Sequence, residues 1–149
     1  MLQRKSPNHV TVQSKVEVTA YERAVIDGPD ANGVSMVETR LEEHFAGGLE
    51  ANGTAKHLRL ERPDGSGTLI CYECISGVMD DRRGSFLLEA SGFMTPDGYV
   101  HGRWEIIPGS GTEDWQDIRG YAAFMAERDE RSKSGWSAET TLTYWFDQR

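Results

Sequence analysis

Short runs of β-branched and aromatic residues follow one another along the chain, and clusters of Gly, Pro, Asp and Ser separate them. Runs of this kind, bounded by turn residues, are typical of β-strands. The 16 glycines are spread among the clusters rather than gathered in one linker. The pattern predicts eight strands, at residues 10–26, 33–46, 53–62, 67–77, 84–92, 98–107, 119–127 and 136–146.

The predicted strands are joined by short loops in chain order, and GGLEANG, residues 47–53, is one of the predicted turns. Eight such strands predict an all-β fold, a single antiparallel up-and-down barrel, because closure removes exposed sheet edges. A two-sheet sandwich is the alternative. Helical spacing in DWQDIRGYAAFMAER is interrupted by Gly120, so we expect one helical turn around Glu113–Asp117 and then a strand.

Length and charge restrict the classes of protein. The 149 residues fit one domain, residues 1–149, with residues 1–9 as a flexible extension. The net charge of −8 would repel a phosphate backbone, so no nucleic-acid partner is expected. The start MLQRKSPNHV lacks the apolar core of a signal peptide, and no long apolar run predicts a membrane span. We expect a soluble, cytoplasmic protein, with a homodimer as a further expectation.

The stretch TLICYECISG contains a Cys-x-x-Cys pair, a spacing found in metal and redox sites. It reads as a strand, in which side chains alternate between two faces. Cys71 and Cys74 then point to opposite sides and can neither chelate one ion nor bond to each other. Two unpaired thiols agree with a reducing compartment.

The segments RPDGSGTLICYECISGVM, RRGSFLLEASG and WEIIPGSGTEDWQDIRG resemble a bacterial family, domain of unknown function 3224, over about residues 40–146. The most specific match is Pro108–Thr112, PGSGT, followed by Ile118-Arg119-Gly120. The resemblance implies a calycin-like barrel similar to allene oxide cyclase, whose interior can hold an apolar ligand. Barrels of that class include cyclases and proteins that only bind, so the resemblance implies no single activity.

Two positions depart from the pattern of that family. The loop after PGSGT reads EDWQD where relatives have small or apolar residues, and Ala90 stands where a His is expected. Both changes are expected near the rim or interior of the barrel, so site residues inferred from relatives do not transfer directly.

The more apolar set of each strand is expected inside the barrel. This places Val16, Val18, Phe86, Trp104 and Tyr144 in the interior, where they either fill it or line a pocket. Candidate ligand-binding residues are Phe86, Trp104, Tyr121, Tyr144 and Cys71.

Glu73 is the candidate catalytic residue. If Leu69, Cys71 and Ile75 point inward, Glu73 is an acid in an apolar lumen, with a raised pKa suited to general acid or base catalysis. The opposite face is hardly more polar, so the orientation of the strand stays open. It carries Thr68, Ile70, Tyr72, Cys74 and Ser76. An ion pair with Arg103 or Arg119 is the structural alternative.

Other polar groups give weaker signals. The four histidines, His9, His44, His57 and His101, lack spacing for a shared metal; His57 and His101, with Arg59 and Arg103, are expected on outward faces. Ser110 in PGSGT is expected in a tight turn rather than as a nucleophile. The pairs Glu42-Glu43 and Asp80-Asp81 are expected to be solvated.

Three functions remain open at this point. The favoured one is a cofactor-free cyclase or isomerase that folds an apolar small molecule inside the lumen with help from Glu73. The second is a carrier that binds an apolar ligand without chemistry. The third is a filled barrel that acts through its surface.

Overall fold

Eight antiparallel strands close into one barrel, as the sequence predicts. The computed structural model describes residues 8–133 and 135–148. The predicted flexible extension lies largely outside this range. The strands are β1 Val10–Asp27, β2 Ser35–Gly47, β3 Leu49–Glu61, β4 Gly67–Met79, β5 Arg82–Met94, β6 Val100–Ile106, β7 Ile118–Arg128 and β8 Trp136–Phe146.

Each strand pairs with its neighbours in the chain, and β1 also pairs with β8 to complete the closure. The strands are staggered, so the second half of β1, after Glu17, pairs with β2 and extends beyond its ladder with β8. The prediction of a barrel is therefore confirmed, and the two-sheet sandwich is wrong. The short helical element is a single 3₁₀ turn, Glu113–Trp115, here called η1. No helix in the described parts of the chain is long and apolar enough to cross a membrane.

The predicted turn at residues 47–53 is wrong over most of its length. Strand β2 ends at Gly47 and β3 already begins at Leu49, so a tight connection replaces the expected loop. Leu49 and Ala51 alternate inward and are buried, which gives this segment the pattern of a strand despite its glycines. Gly47 has a φ of +143°, a backbone conformation that favours glycine.

The two ends of the barrel differ. One end, here called the base, carries the turns after β2 and β4 and the η1 segment. A large apolar cluster fills it, with Trp115 and Ile75 completely buried and Phe86 5.4 Å from Trp115 between ring centroids. The other end, here called the mouth, carries the loops at residues 28–34, 62–66 and 95–99 and the residues 129–133 that follow β7. A smaller apolar cluster lies there, so packing is less complete towards the mouth.

The connection from β6 to η1 is fastened to β5 at the base. The hydroxyl of Ser110 donates to the carbonyl of Ile107 at 2.6 Å and accepts from the backbone N–H of Leu87 at 3.1 Å. Thr112 bonds the backbone and hydroxyl of Ser85 in the same way. Ser110 therefore holds a turn, as predicted. Trp115, in the segment that departs from the family pattern, plugs the base.

Candidate functional site

A cavity of about 70 Å³ lies in the lumen, above the filled base. Apolar side chains such as Val16, Leu88 and Trp104 form much of its wall. Polar side chains interrupt this wall on three neighbouring strands, namely Glu43 on β2, His57 and Arg59 on β3, and Glu73 on β4. The polar part of the lumen is therefore concentrated in one sector of the barrel.

Glu73 points into the lumen, on the same face as Leu69, Cys71 and Ile75. The first of the two orientations considered for this strand is therefore the correct one. The Glu73 side chain is only 8% exposed, and its Oε2 atom is buried without a hydrogen-bond partner. Neither arginine proposed as its ion-pair partner reaches it, since Arg119 bonds Asp147 at 3.2 Å and Arg103 is exposed on the outer face.

Glu43 is the actual neighbour of Glu73, and the prediction that Glu43 is solvated is wrong. The two side chains line the same cavity and shift each other's pKa. Burial is the main cause that raises the pKa of both groups, and the nearby Glu43 charge raises the pKa of Glu73 further. Two carboxyl groups this close cannot both ionise easily, so they titrate as a pair.

Local backbone spacing makes room for this carboxyl pair. Gly53 lies between the two strands that carry the acids, opposite Glu43 on one side and Ile75 on the other. A Cβ atom at Gly53 would meet Glu73 Oε2 at 2.1 Å. The absence of a side chain at Gly53 therefore allows the Glu73 carboxyl to lie against the β3 backbone.

His57 and Arg59 face the cavity, and their predicted outward orientation is wrong. Arg59 is 7% exposed and donates through Nη2 to His57 Nδ1 at 3.2 Å. Burial lowers the pKa of His57 to about 3, with a smaller contribution from the Arg59 charge. The ring is therefore neutral, and because Nδ1 accepts a hydrogen bond, its proton lies on Nε2.

Arg59 keeps its charge in a largely apolar setting. Burial lowers its pKa from the usual value, while Tyr21 and Glu61 oppose this effect. Glu61 pairs with Arg23, and no carboxylate forms an ion pair with Arg59 within the described ranges 8–133 and 135–148. The Nε atom of Arg59 is buried and has no hydrogen-bond partner.

The other predicted ligand-binding residues are divided between several environments. Cys71 and Trp104 line the cavity, whereas Phe86 and Tyr144 are packed into the apolar cluster that fills the base. Tyr121 points outward, is 52% exposed and contacts the edge of Trp145, so it does not line the lumen. Ala90, where the family pattern led us to expect a histidine, is part of the cavity wall.

The two cysteines lie on opposite faces, as predicted. Cys71 is buried and Cys74 is exposed, and both are free thiols. Burial raises the pKa of Cys71, and the charges of Glu73 and Glu43 raise it further, so Cys71 is an un-ionised thiol and a weak nucleophile. Within the described residues, no group of three or more His, Cys, Asp or Glu side chains is arranged to hold a metal ion.

Comparison with known proteins identifies a family and a related structure. No curated protein matches the chain. The barrel is similar to the crystal structure of a protein of unknown function from the DUF3224 family of Shewanella oneidensis MR-1, with a TM-score of 0.75 and 22% identity over 94% of this chain and 99% of that chain. At this identity the similarity supports the fold and not a function. The family model for proteins of unknown function DUF3224 matches residues 12–135, which confirms the predicted resemblance: the chain belongs to this family.

Proposed function

We propose that the protein is an acid–base enzyme of the isomerase or cyclase type, acting on a small, largely apolar molecule bound in the lumen. The observation that carries the proposal is the pair formed by the buried Glu73 and the half-buried Glu43, which both line the cavity, with Glu73 Oε2 left without a hydrogen-bond partner. A purely structural carboxyl group at this depth is normally fully hydrogen-bonded, because an unsatisfied buried polar atom destabilises the fold.

The pair has the chemistry required for proton transfer in both directions. When two neighbouring carboxyl groups share one proton, one can donate while the other accepts. Glu73 in its protonated form would donate a proton to one atom of the substrate, and Glu43 in its ionised form would remove a proton from another. The substrate gains and loses one proton, so product and substrate have the same composition, as in an isomerisation or an intramolecular cyclisation.

The surroundings of the pair would assist such a reaction. The apolar wall around Trp104 and Leu88 excludes water and strengthens electrostatic interactions with a bound molecule. The cavity of about 70 Å³ is well below the ~300–1,000 Å³ of sites for drug-sized ligands. The proposal therefore concerns a small substrate, held in one orientation by close packing.

Deuterium incorporation from solvent tests the proposal. The wild-type protein would be incubated in D₂O with a panel of small unsaturated and epoxide-bearing compounds, and products would be detected by proton NMR. We expect isomerisation or ring closure with deuterium at the protonated atom, and a ~10²–10⁴-fold loss of rate in Glu73→Gln. Glu89→Gln is the matched control, because Glu89 lies on the outer face of the adjacent strand β5.

Carboxyl-carbon NMR titration supplies a second test that needs no substrate. We expect the pKa of Glu73 to lie well above its ordinary value and to fall in Glu43→Gln, because the neighbouring charge is removed. Ordinary pKa values for both acids, or undiminished turnover in Glu73→Gln, would refute the acid–base role. Binding of panel compounds without turnover by the wild type would instead favour a carrier.

A further inference from the structure

We infer that Arg59, supported by His57, is the binding site for the carboxylate of the lumen ligand, so that the substrate class is a short-chain apolar carboxylic acid. The conversion of this ligand rests on the proposed function, whereas its binding does not. Binding of an organic acid at Arg59 stands or falls independently of catalysis at Glu73.

The Arg59 guanidinium is buried with a hydrogen-bond donor left unpaired. Arg59 is only 7% exposed and lines the cavity, and its Nε atom has no hydrogen-bond partner. Its observed side-chain hydrogen bond goes to the neutral ring of His57. A guanidinium presents several N–H donors in a planar fork that matches a carboxylate, and leaving such donors unpaired in an apolar site is unfavourable. An anionic ligand group would satisfy them.

Positive charge is concentrated around Arg59. Arg23 and Arg59 both lie near Glu61, which forms an ion pair with Arg23. Two cations thus surround one carboxylate at the mouth end of β3, although the whole chain carries a net charge of −8. Because burial raises the pKa values of Glu73 and Glu43, the pair opposes an entering anion less than two free carboxylates would.

Arg59 and Glu73 lie at different depths of the same lumen. Arg59 pairs with Leu69 on β4, four residues on the mouth side of Glu73. Four residues of strand span about 13 Å between Cα levels, and both side chains reach into the lumen between them. A carboxylate held at Arg59 would therefore direct the rest of a small molecule along the apolar wall towards Glu73.

Inorganic phosphate could also pair with a guanidinium, but it has no apolar body to contact walls such as Trp104 and Val100. The recognised chemistry is therefore an anion attached to a short apolar chain. The probes are hexanoate and butyrate, the matched neutral amides hexanamide and butyramide, and inorganic phosphate. Affinities would be measured by calorimetry, together with the side-chain nitrogen NMR signal of Arg59.

The wild type is expected to bind hexanoate roughly tenfold or more tightly than hexanamide, with a shift of the Arg59 Nε signal. Arg59→Met should lose this preference and fold at least as stably as the wild type, because replacing an unpaired buried charge by an apolar side chain of similar size removes a desolvation penalty. Arg103→Met on the outer face of β6 is the matched control and should bind normally. If Arg59→Met does not fold, Arg59→Lys retains the charge without the planar fork and should bind hexanoate more weakly.

Equal binding of acid and amide by the wild type would overturn the inference, as would unchanged hexanoate affinity in Arg59→Met or in a folded Arg59→Lys. Phosphate binding as tight as hexanoate binding would also overturn it, since the apolar body would then contribute nothing. Hexanoate binding that survives in Glu73→Gln, without turnover of unsaturated acids by the wild type, would keep this inference and remove the proposed reaction. Turnover of neutral panel compounds without binding of hexanoate would keep the proposed reaction and remove this inference.

Discussion

Acidification is expected to destabilise the barrel through His57. The pKa of this ring is lowered from 6.5 to about 3, mainly by burial and to a smaller extent by Arg59. In the unfolded chain the ring regains a pKa of about 6.5, so the unfolded state binds more protons than the native state between these two values. Stability therefore rises with pH across that window and is lost as the pH falls from about 6.5 towards about 3.

The size of this effect follows from the difference between the two pKa values. Integrated from about pH 7.5 down to about pH 4.5, the His57 contribution amounts to a loss of about 2.6 kcal/mol in the free energy of unfolding. Glu73 and Glu43 act in the opposite direction, because their raised pKa values favour the native state as they become protonated. The wild-type curve therefore contains both contributions, and a variant is needed to separate them.

His57→Gln provides this separation. The amide oxygen of Gln can still accept a hydrogen bond from Arg59, while the side chain does not titrate. Urea unfolding of both proteins would be measured between about pH 4.5 and about pH 7.5, and the stability difference plotted against pH. We expect the variant to gain about 2.6 kcal/mol relative to the wild type on acidification. Parallel curves would show that His57 is not held neutral by its surroundings.

Three further changes test the lumen and the base. Glu73→Gln should be more stable than the wild type, and the difference in the free energy of unfolding should grow as the pH rises from about 4.3 towards the raised native pKa. In that window the unfolded wild type ionises Glu73 while the native protein keeps it protonated, which lowers the stability of the wild type. Urea unfolding should show no such trend for Glu89→Gln. Gly53→Ala should lower the free energy of unfolding by roughly 1–3 kcal/mol, because the added Cβ collides with the Glu73 carboxyl. In a Glu73→Ala background the same substitution should cost much less, and additive effects in this double-mutant cycle would contradict the collision. Trp115→Ala should lower the free energy of unfolding by ~3–5 kcal/mol in urea unfolding, and a loss below about 1 kcal/mol would mean that this ring does not hold the base together.

Strand pattern and turn composition predicted the eight strands and favoured a barrel, but they did not distinguish a closed barrel from a two-sheet sandwich. Apolar alternation allowed two orientations of β4, and Glu73 points inward in the one that places Leu69 and Ile75 in the core, as the structure does. The same parity could have identified Glu43, which lies between the inward residues Leu41 and Phe45. Its position beside Glu42 made the pair resemble a solvated acidic patch.

The orientation of β3 could not be predicted from hydrophobicity. Its outward set includes Leu58 and Leu60, which are 38% and 45% exposed, whereas its inward set includes His57 and Arg59. The apolar side chains therefore lie outside and the polar ones inside over this segment. Local pattern fails where the interior is polar, and this is the segment to which we assign ligand recognition.

The distribution of unsatisfied polar atoms argues that the polar sector is maintained for a reason other than stability. Four buried side-chain atoms lack partners within the part of the chain that the structure describes. Trp115 Nε1 lies in the base, and the other three, Thr39 Oγ1, Arg59 Nε and Glu73 Oε2, lie on the adjacent strands β2, β3 and β4. Each such atom destabilises a fold, and apolar replacements of similar size would remove the penalty. The filled base already supplies a continuous apolar core around Trp115 and Ile75. A barrel selected only for stability would extend that packing towards the mouth, and the ligand proposed above would account for the arginine and the carboxyl pair there by completing their hydrogen bonds.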